Sequence, residues 1–228
     1  MSAITILGLI LFVLMLIFGG KKGLISYLTL FLNFIILVIS IVFIIFGAPI
    51  YLVTLIFCIA IAACNLFVLN SYNIKTRAAF YATILTTLLL IIAIYCSVAV
   101  GHLQGFTIEQ QDETYIFSMN IGVDMVKSMV FTVILAVIAA VIDLAITISS
   151  PIYELYDTNP HLTQSELFHS GMRVGREILA TSANTIYLAY FGGQLTLFFW
   201  FFKLNYSFGH IINSKIFAQE FVTILLGG

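Results

Sequence analysis

Charge is the scarcest commodity in this chain. Of its 228 residues only 8% are Asp, Glu, Lys or Arg, against roughly a quarter in soluble domains. A water-facing surface cannot be assembled from so few, and a soluble globular domain is excluded. The formal net charge of −1 excludes the basic face that a nucleic-acid partner needs. Only three cysteines occur, Cys58, Cys64 and Cys96, all inside hydrophobic runs and none in a C-x-x-C pair. They read as packing residues rather than a redox or metal site. The four histidines, His102, His161, His169 and His210, lack any H-E-x-x-H spacing and read as interfacial polar groups. Ser149, Ser150 and Ser182 have no histidine within a span to activate them, so no nucleophile–base set is visible. The sequence therefore names no catalytic residue, no metal ligand and no cofactor, and the expectation is a protein that is not an enzyme. No polar stretch is long enough for an independent soluble core.

What is abundant is apolar residue, 62% of the chain, with a mean hydropathy of +1.15. Hydrophobic runs lie at about 3–18, 24–46, 48–69, 78–100, 128–150 and 177–202. A transmembrane helix needs about 20 such residues, and five of the six runs reach that length. The fold expected is all-α: a polytopic membrane helical bundle of about six transmembrane helices in a single integral domain, 1–228. It divides into frame helices at about 3–100, a polar two-helix unit at about 128–202 and a C-terminal segment, 203–228. The short first run lacks a basic leader and a cleavage site, so it reads as a helix rather than a signal peptide.

Basic residues set the orientation. Lys21, Lys22, Lys75, Arg77, Arg173 and Arg176 fall on one side if every run crosses; Lys127, Lys203 and Lys215 fall on the other. That bias predicts a cell-membrane protein with an external N-terminus and a cytoplasmic 151–176 loop. The 102–124 loop, with Glu109, Asp112, Glu113 and Asp124, is then external and acidic. Aromatic residues Phe198–Phe202 close the sixth run at the outer interface. That run would extend about 39 Å as one helix, beyond a core of about 30 Å, so it must tilt or break at Gly192-Gly193. The ten residues Phe217–Leu226 are too few to span, and predict an interfacial helix or the start of a further span.

Chemistry concentrates in the last two long runs. Asp143, Thr147, Ser150 and Glu154 follow i, i+4, i+7, i+11 and share one helical face. Glu177, Thr181 and Asn184 repeat that pattern in the sixth run, with Thr185 adjacent. The two stripes are expected to face each other. An ionised Asp within a span costs about 2.5–3.5 kcal/mol on insertion scales and must face protein or water. Asp143 is then a proton or cation site oriented by the hydroxyls and the Asn184 amide, or these residues are hydrogen-bonding glue between helices. Pro151 either frees the Thr147 carbonyl within the helix or ends the helix at the interface. Asn159-Pro160 marks a turn, and Thr163-Gln-Ser-Glu166 is a capping box expected to start a short helix. Gly171 and Gly175 are expected to turn the chain into the sixth run, with Arg176 an anchor at the membrane surface.

Several of these pieces together resemble the YibE/F-like family of bacterial membrane proteins. The likeness rests on Ala140-Val-Ile-Asp143, Ser149-Ser150, Tyr153-Glu154-Leu155, Asn159-Pro160, Glu166-Leu167-Phe168, Ser170-Gly171-Met172, Val174-Gly175-Arg176-Glu177, Ala183-Asn184-Thr185 and Leu188-Ala189-Tyr190. Shorter pieces at Gly19–Gly23, Leu32-Asn33-Phe34 and Asn73–Thr76 agree. Glu177 and Ala180 depart from the Asp and Gly usual in that pattern. The resemblance implies a multi-pass protein often described as a permease, and no substrate. Its expected partners are the lipid bilayer and a related membrane protein or a second copy. Transport through the Asp143 seam is the leading expectation, and a non-transporting scaffold for another membrane protein or a lipid is the alternative.

Overall fold

The structure is a computed structural model describing residues 3–103 and 124–227. Its elements are helical throughout: α1 (Ala3–Ile45), α2 (Ile50–Ala63) continued by a π turn (Cys64–Val68), and α3 (Ile74–Val100). Then come α4 (Met125–Thr158), α5 (Gln164–Gly193), α6 (Leu195–Lys203), α7 (Phe208–Asn213) and α8 (Lys215–Gly227). Among the described residues four helices are long and apolar enough to cross a membrane: α1, α2 with its π turn, α3 and α4. Counting the bent pair α5–α6 as one span raises the number to five. The chain divides into two compact units, 1–84 and 85–228, with the division inside α3.

In the first unit, α1 is two arms rather than one rod. Gly20 sits at φ 54°, ψ −132°, outside helical geometry and in a region that favours glycine. Along one straight helix Gly8 and Tyr27 would lie about 28 Å apart. Instead the Tyr27 hydroxyl donates to the Gly8 carbonyl at 3.4 Å, and the Phe12 and Tyr27 rings sit 5.0 Å apart. The chain therefore folds back at Gly20, and the first hydrophobic run is a separate arm. Gly23 makes the reversal possible, because any Cβ there would collide with the Met15 carbonyl.

The second arm packs on α2. Asn33 and Asn65 exchange side-chain amide hydrogen bonds, both at 3.2 Å, and Asn65 also donates to the Ile61 carbonyl at 2.8 Å. Asn65 lies in the π turn, where the widened helix lets its side chain serve both partners. Phe57, Cys58, Ala62 and Leu66 fill the interior. Large side chains on the outer faces of the arms, such as Phe18 and Phe46, are exposed, as lipid-facing surfaces require.

In the second unit α4 supplies the core. Val130, Val133, Ile134, Val137, Ile138 and Ile142 are buried at helical spacing. Asp124 caps α4, accepting from the Val126 and Lys127 amides at 3.0 and 3.2 Å, and pairs with Lys127 Nζ at 2.9 Å. These bonds to Lys127 hold its carboxyl below the usual range. The rest of the acidic loop, with Glu109, Asp112 and Glu113, lies outside the described residues.

Pro151 does not end α4, which runs on to Thr158. The turn at Asn159-Pro160 follows, and the capping box forms: Thr163 N donates to Glu166 Oε2 at 2.9 Å, and Glu166 N to Thr163 Oγ1 at 3.3 Å. The helix it starts is long, continuous from Gln164 to Gly193. Gly171 and Gly175 thus lie within a helix and turn nothing. The break falls after Gly192-Gly193, where α5 and α6 meet at 42°.

Candidate functional site

The face that α5 turns to α4 is set by its two glycines. A Cβ at Gly171 would meet Ile152 Cδ1 at 2.9 Å, and one at Gly175 would meet Ile148 Cδ1 at 3.9 Å. Small residues four apart let membrane helices approach closely, and the Ile148–Ile152 edge of α4 lies along them. Ile148 is five residues beyond Asp143, about 140° further round the helix. The packed edge of α4 is therefore not the Asp143 stripe.

The consequences for the sequence-derived residues are direct. Asp143, Thr147 and Glu154 are exposed and Ser150 is half-buried. On α5, Glu177, Thr181, Asn184 and Thr185 are exposed, and so is Arg176. Asn184 lies nine residues past Gly175, about 180° away from the packed edge. The two stripes each remain in register along their own helix but do not face each other. Thr181 and Thr185 donate back to the carbonyls of Glu177 and Thr181 at 3.3 and 3.2 Å. These are intrahelical bonds, not contacts between stripes. Glycine packing placed the helices, and the polar faces followed outward.

A different polar contact joins the helices of this unit. At the α5–α6 break Gln194 Nε2 donates to Glu220 Oε2 at 2.6 Å, and both residues are half-buried. The short distance is that of a charge-assisted bond to a carboxylate. One turn before the break, the Tyr190 hydroxyl donates to the Ala136 carbonyl of α4 at 2.8 Å. Gly227, at the end of α8, packs so closely that a Cβ would meet Val137 Cγ1 at 2.9 Å and Tyr190 Cε2 at 3.0 Å. Gln219, the residue before Glu220, is buried and donates from its amide to the Leu103 carbonyl. Helix α8 is thus held along its length by Leu103, by Gln194 and by the Tyr190–Val137 contact. The carboxylate it carries is delivered to the point where a candidate span is broken.

Beside this pair, Phe191, Leu197, Phe198, Phe217, Phe221 and Ile224 surround a space of about 10 Å³. That volume is about enough for one water molecule. The arrangement sets one carboxylate against an amide beside aromatic side chains at the helix break. Glu220 was legible in principle, as the single carboxylate in the run Phe217–Leu226, and an acid in such a run is a functional candidate by default. Its partner, 26 residues earlier in the chain, carried no signal in the sequence.

Cys58 and Cys64 are free and buried, and Cys96 is free and exposed. Among the described residues no three His, Cys, Asp or Glu side chains cluster in metal-binding geometry. Comparison with curated proteins and with solved structures finds no match. Residues 7–228, nearly the whole chain, match the YibE/F-like protein family, and the apolar helices agree with it: the chain is a membrane protein of the YibE/F-like family.

Proposed function

We propose that the chain is a permease or transporter subunit of the cell membrane, coupled to a proton or cation, with Glu220 and Gln194 as its coupling pair. The observation that carries this reading is the 2.6 Å bond between them at the break of the α5–α6 span. Secondary transporters build their substrate and ion sites at discontinuous helices, which supports this reading. In the charged state Glu220 accepts from Gln194 and ties α8 to the break. Protonation removes the charge that strengthens this bond, so the α6 segment gains freedom to pivot at Gly192-Gly193. The substrate is left open, and the protein acts by moving it rather than by transforming it.

In this reading each arm of α1 crosses separately, which with α2, α3, α4 and the α5–α6 pair makes six crossings, and the bias of basic residues supports an external N-terminus and a cytoplasmic 151–176 loop. The test is flux in reconstituted vesicles carrying an internal pH dye, under imposed proton and sodium gradients. Wild type carries flux; Glu220→Gln abolishes it while the folded protein is recovered in normal yield. A Glu220→Gln variant with wild-type flux sinks the reading.

The outward stripes favour a second reading, a scaffold that binds a related membrane protein or a second copy. Asp143 is exposed on an apolar helix and forms no hydrogen bond with a described residue. Hydrocarbon tolerates such a group poorly, so a polar surface of a neighbouring chain is its natural cover. The same stripe would serve as a transport seam only when completed across that interface. Loss of self-association or of partner capture in Asp143→Leu, with vesicles silent for wild type, supports the scaffold. Monomeric wild type in membranes contradicts the second-copy form of it.

A further inference from the structure

The space beside Gln194 and Glu220 is poor in oxygen. Among the described side chains around it, Phe191, Leu197, Phe198, Phe217, Phe221 and Ile224 are wholly apolar, and only Gln194 and Glu220 carry an oxygen. The bond between those two fixes what each presents. A charged carboxylate only accepts, so Gln194 turns its Nε2–H to Glu220 Oε2, at 2.6 Å, and the carbonyl oxygen of the same amide faces away.

The backbone adds little. Between α5 and α6 the single residue Gln194 leaves the helix, so no long unwound stretch presents its carbonyls. The Tyr190 carbonyl accepts from the Gln194 amide at 3.0 Å, and the Gln194 carbonyl accepts from the Leu197 and Phe198 amides at 3.0 and 3.4 Å. The Tyr190 side chain feels the Glu220 charge, but its hydroxyl donates to the Ala136 carbonyl of α4 and does not line the space. Lys215 of α8, His210 of α7, Lys203 of α6, Tyr187 of α5, and Lys127 and Asp143 of α4 also lie outside that lining.

A metal cation entering here must exchange its water for a shell of protein oxygens, about six for hard cations. It would meet one carboxylate and an amide N–H that repels it, in room for about one water. A proton needs one acceptor and no shell. Bound to a Glu220 oxygen, it turns the carboxylate into a carboxylic acid. Gln194 can then rotate its amide so that Oε1 accepts the new O–H, and one side chain serves both states of the acid. We infer that the ion taken up by this pair is a proton, and that the pair excludes sodium and other metal cations. The inference rests on the reading of Glu220 and Gln194 as the coupling pair and narrows it to one ion.

Infrared difference spectra of the purified full-length chain in detergent read the protonation directly. As pH is lowered, wild type gains a carboxylic-acid C=O band that Glu220→Gln lacks. Glu220→Asp keeps the carboxyl and moves that band in frequency, which identifies it even where Glu220→Gln does not fold. Exchanging choline chloride for sodium or potassium chloride at equal ionic strength leaves both the band and the wild-type unfolding midpoint unchanged. A band that sodium erases, or a sodium-specific rise in midpoint that Glu220→Gln removes, overturns the proton in favour of a metal cation and leaves the coupling pair standing. A wild-type spectrum with no band that either variant alters also overturns it. Vesicle flux tests the underlying reading separately: a sodium-blind Glu220 band in a protein that carries no flux upholds the proton site and sinks transport.

Discussion

In residues 1–84 the two amides set among apolar helices, Asn33 and Asn65, are turned on each other, and Asn65 takes a third bond within its own helix. At the start of α3, Asn73 and Thr76 likewise exchange backbone-to-side-chain bonds at 2.9 and 3.0 Å. The exceptions are the hydroxyls of Thr29 and Thr83, buried with no hydrogen-bond partner among the described residues. In residues 85–228 the stronger polar groups are left open. Asp143, Glu177 and Asn184 are exposed on helices otherwise built for an apolar setting, and Glu220 accepts from an amide at a helix break. Lone hydroxyls are cheap to leave unpaired beside apolar packing; carboxylates are not. The first unit thus turns its amides on its own helices, while the second leaves Asp143, Glu177 and Asn184 outside its own packing.

Substitutions that should break this contrast differ in size. Gly23→Val should have the largest effect, because the Met15 carbonyl occupies the place of the new side chain. A loss of about 3 kcal/mol is expected, at the upper end of overpacking costs, measured as a fall in unfolding midpoint in detergent. Asn65→Leu should cost about 1–2 kcal/mol by stranding Asn33. The Asn33→Leu/Asn65→Leu double variant should cost less than the two singles added, a non-additivity a double-mutant cycle reads directly.

Asp124→Ala should cost about 1 kcal/mol through loss of the α4 cap. Because the folded chain lowers this carboxyl's pKa, its contribution is complete above the unfolded value of about 4. It fades as pH falls through the lowered folded value, so wild type and variant should converge in acid. Asp143→Asn should be the mildest, within about 0.5 kcal/mol, since no described residue bonds to that carboxylate. A large loss of monomer stability there would show that the stripe is glue after all, and that the two units do not differ as described.

Much of the frame was readable from residues. The hydrophobic runs anticipated the helices, Gly192-Gly193 marked the break, and Thr163–Glu166 closed as the capping box requires. The directions of the polar stripes were not readable from their own periodicity. A stripe's spacing says which residues share a face, not which face meets a neighbour. That was decided by Gly171-x-x-x-Gly175, a close-packing signal present in the sequence but read as a turn. Pro151 was tolerated because α4 continues beyond it as an unbroken helix to Thr158. Glu220 escaped attention because ten apolar residues cannot span, and a tail segment offers no periodic partner. Only the fold brings it to Gln194.

We propose that the coupling chemistry resides in the second unit, at Glu220 and Gln194, and not in the closed amide pair of the first. Proton flux should be measured in vesicles holding equal amounts of folded wild type, Glu220→Gln and Asn33→Leu/Asn65→Leu. Flux is expected for wild type and for the amide-pair variant, and none for Glu220→Gln. Flux that survives in Glu220→Gln but vanishes with the amide pair, or silence of wild type under every ion gradient, would contradict it.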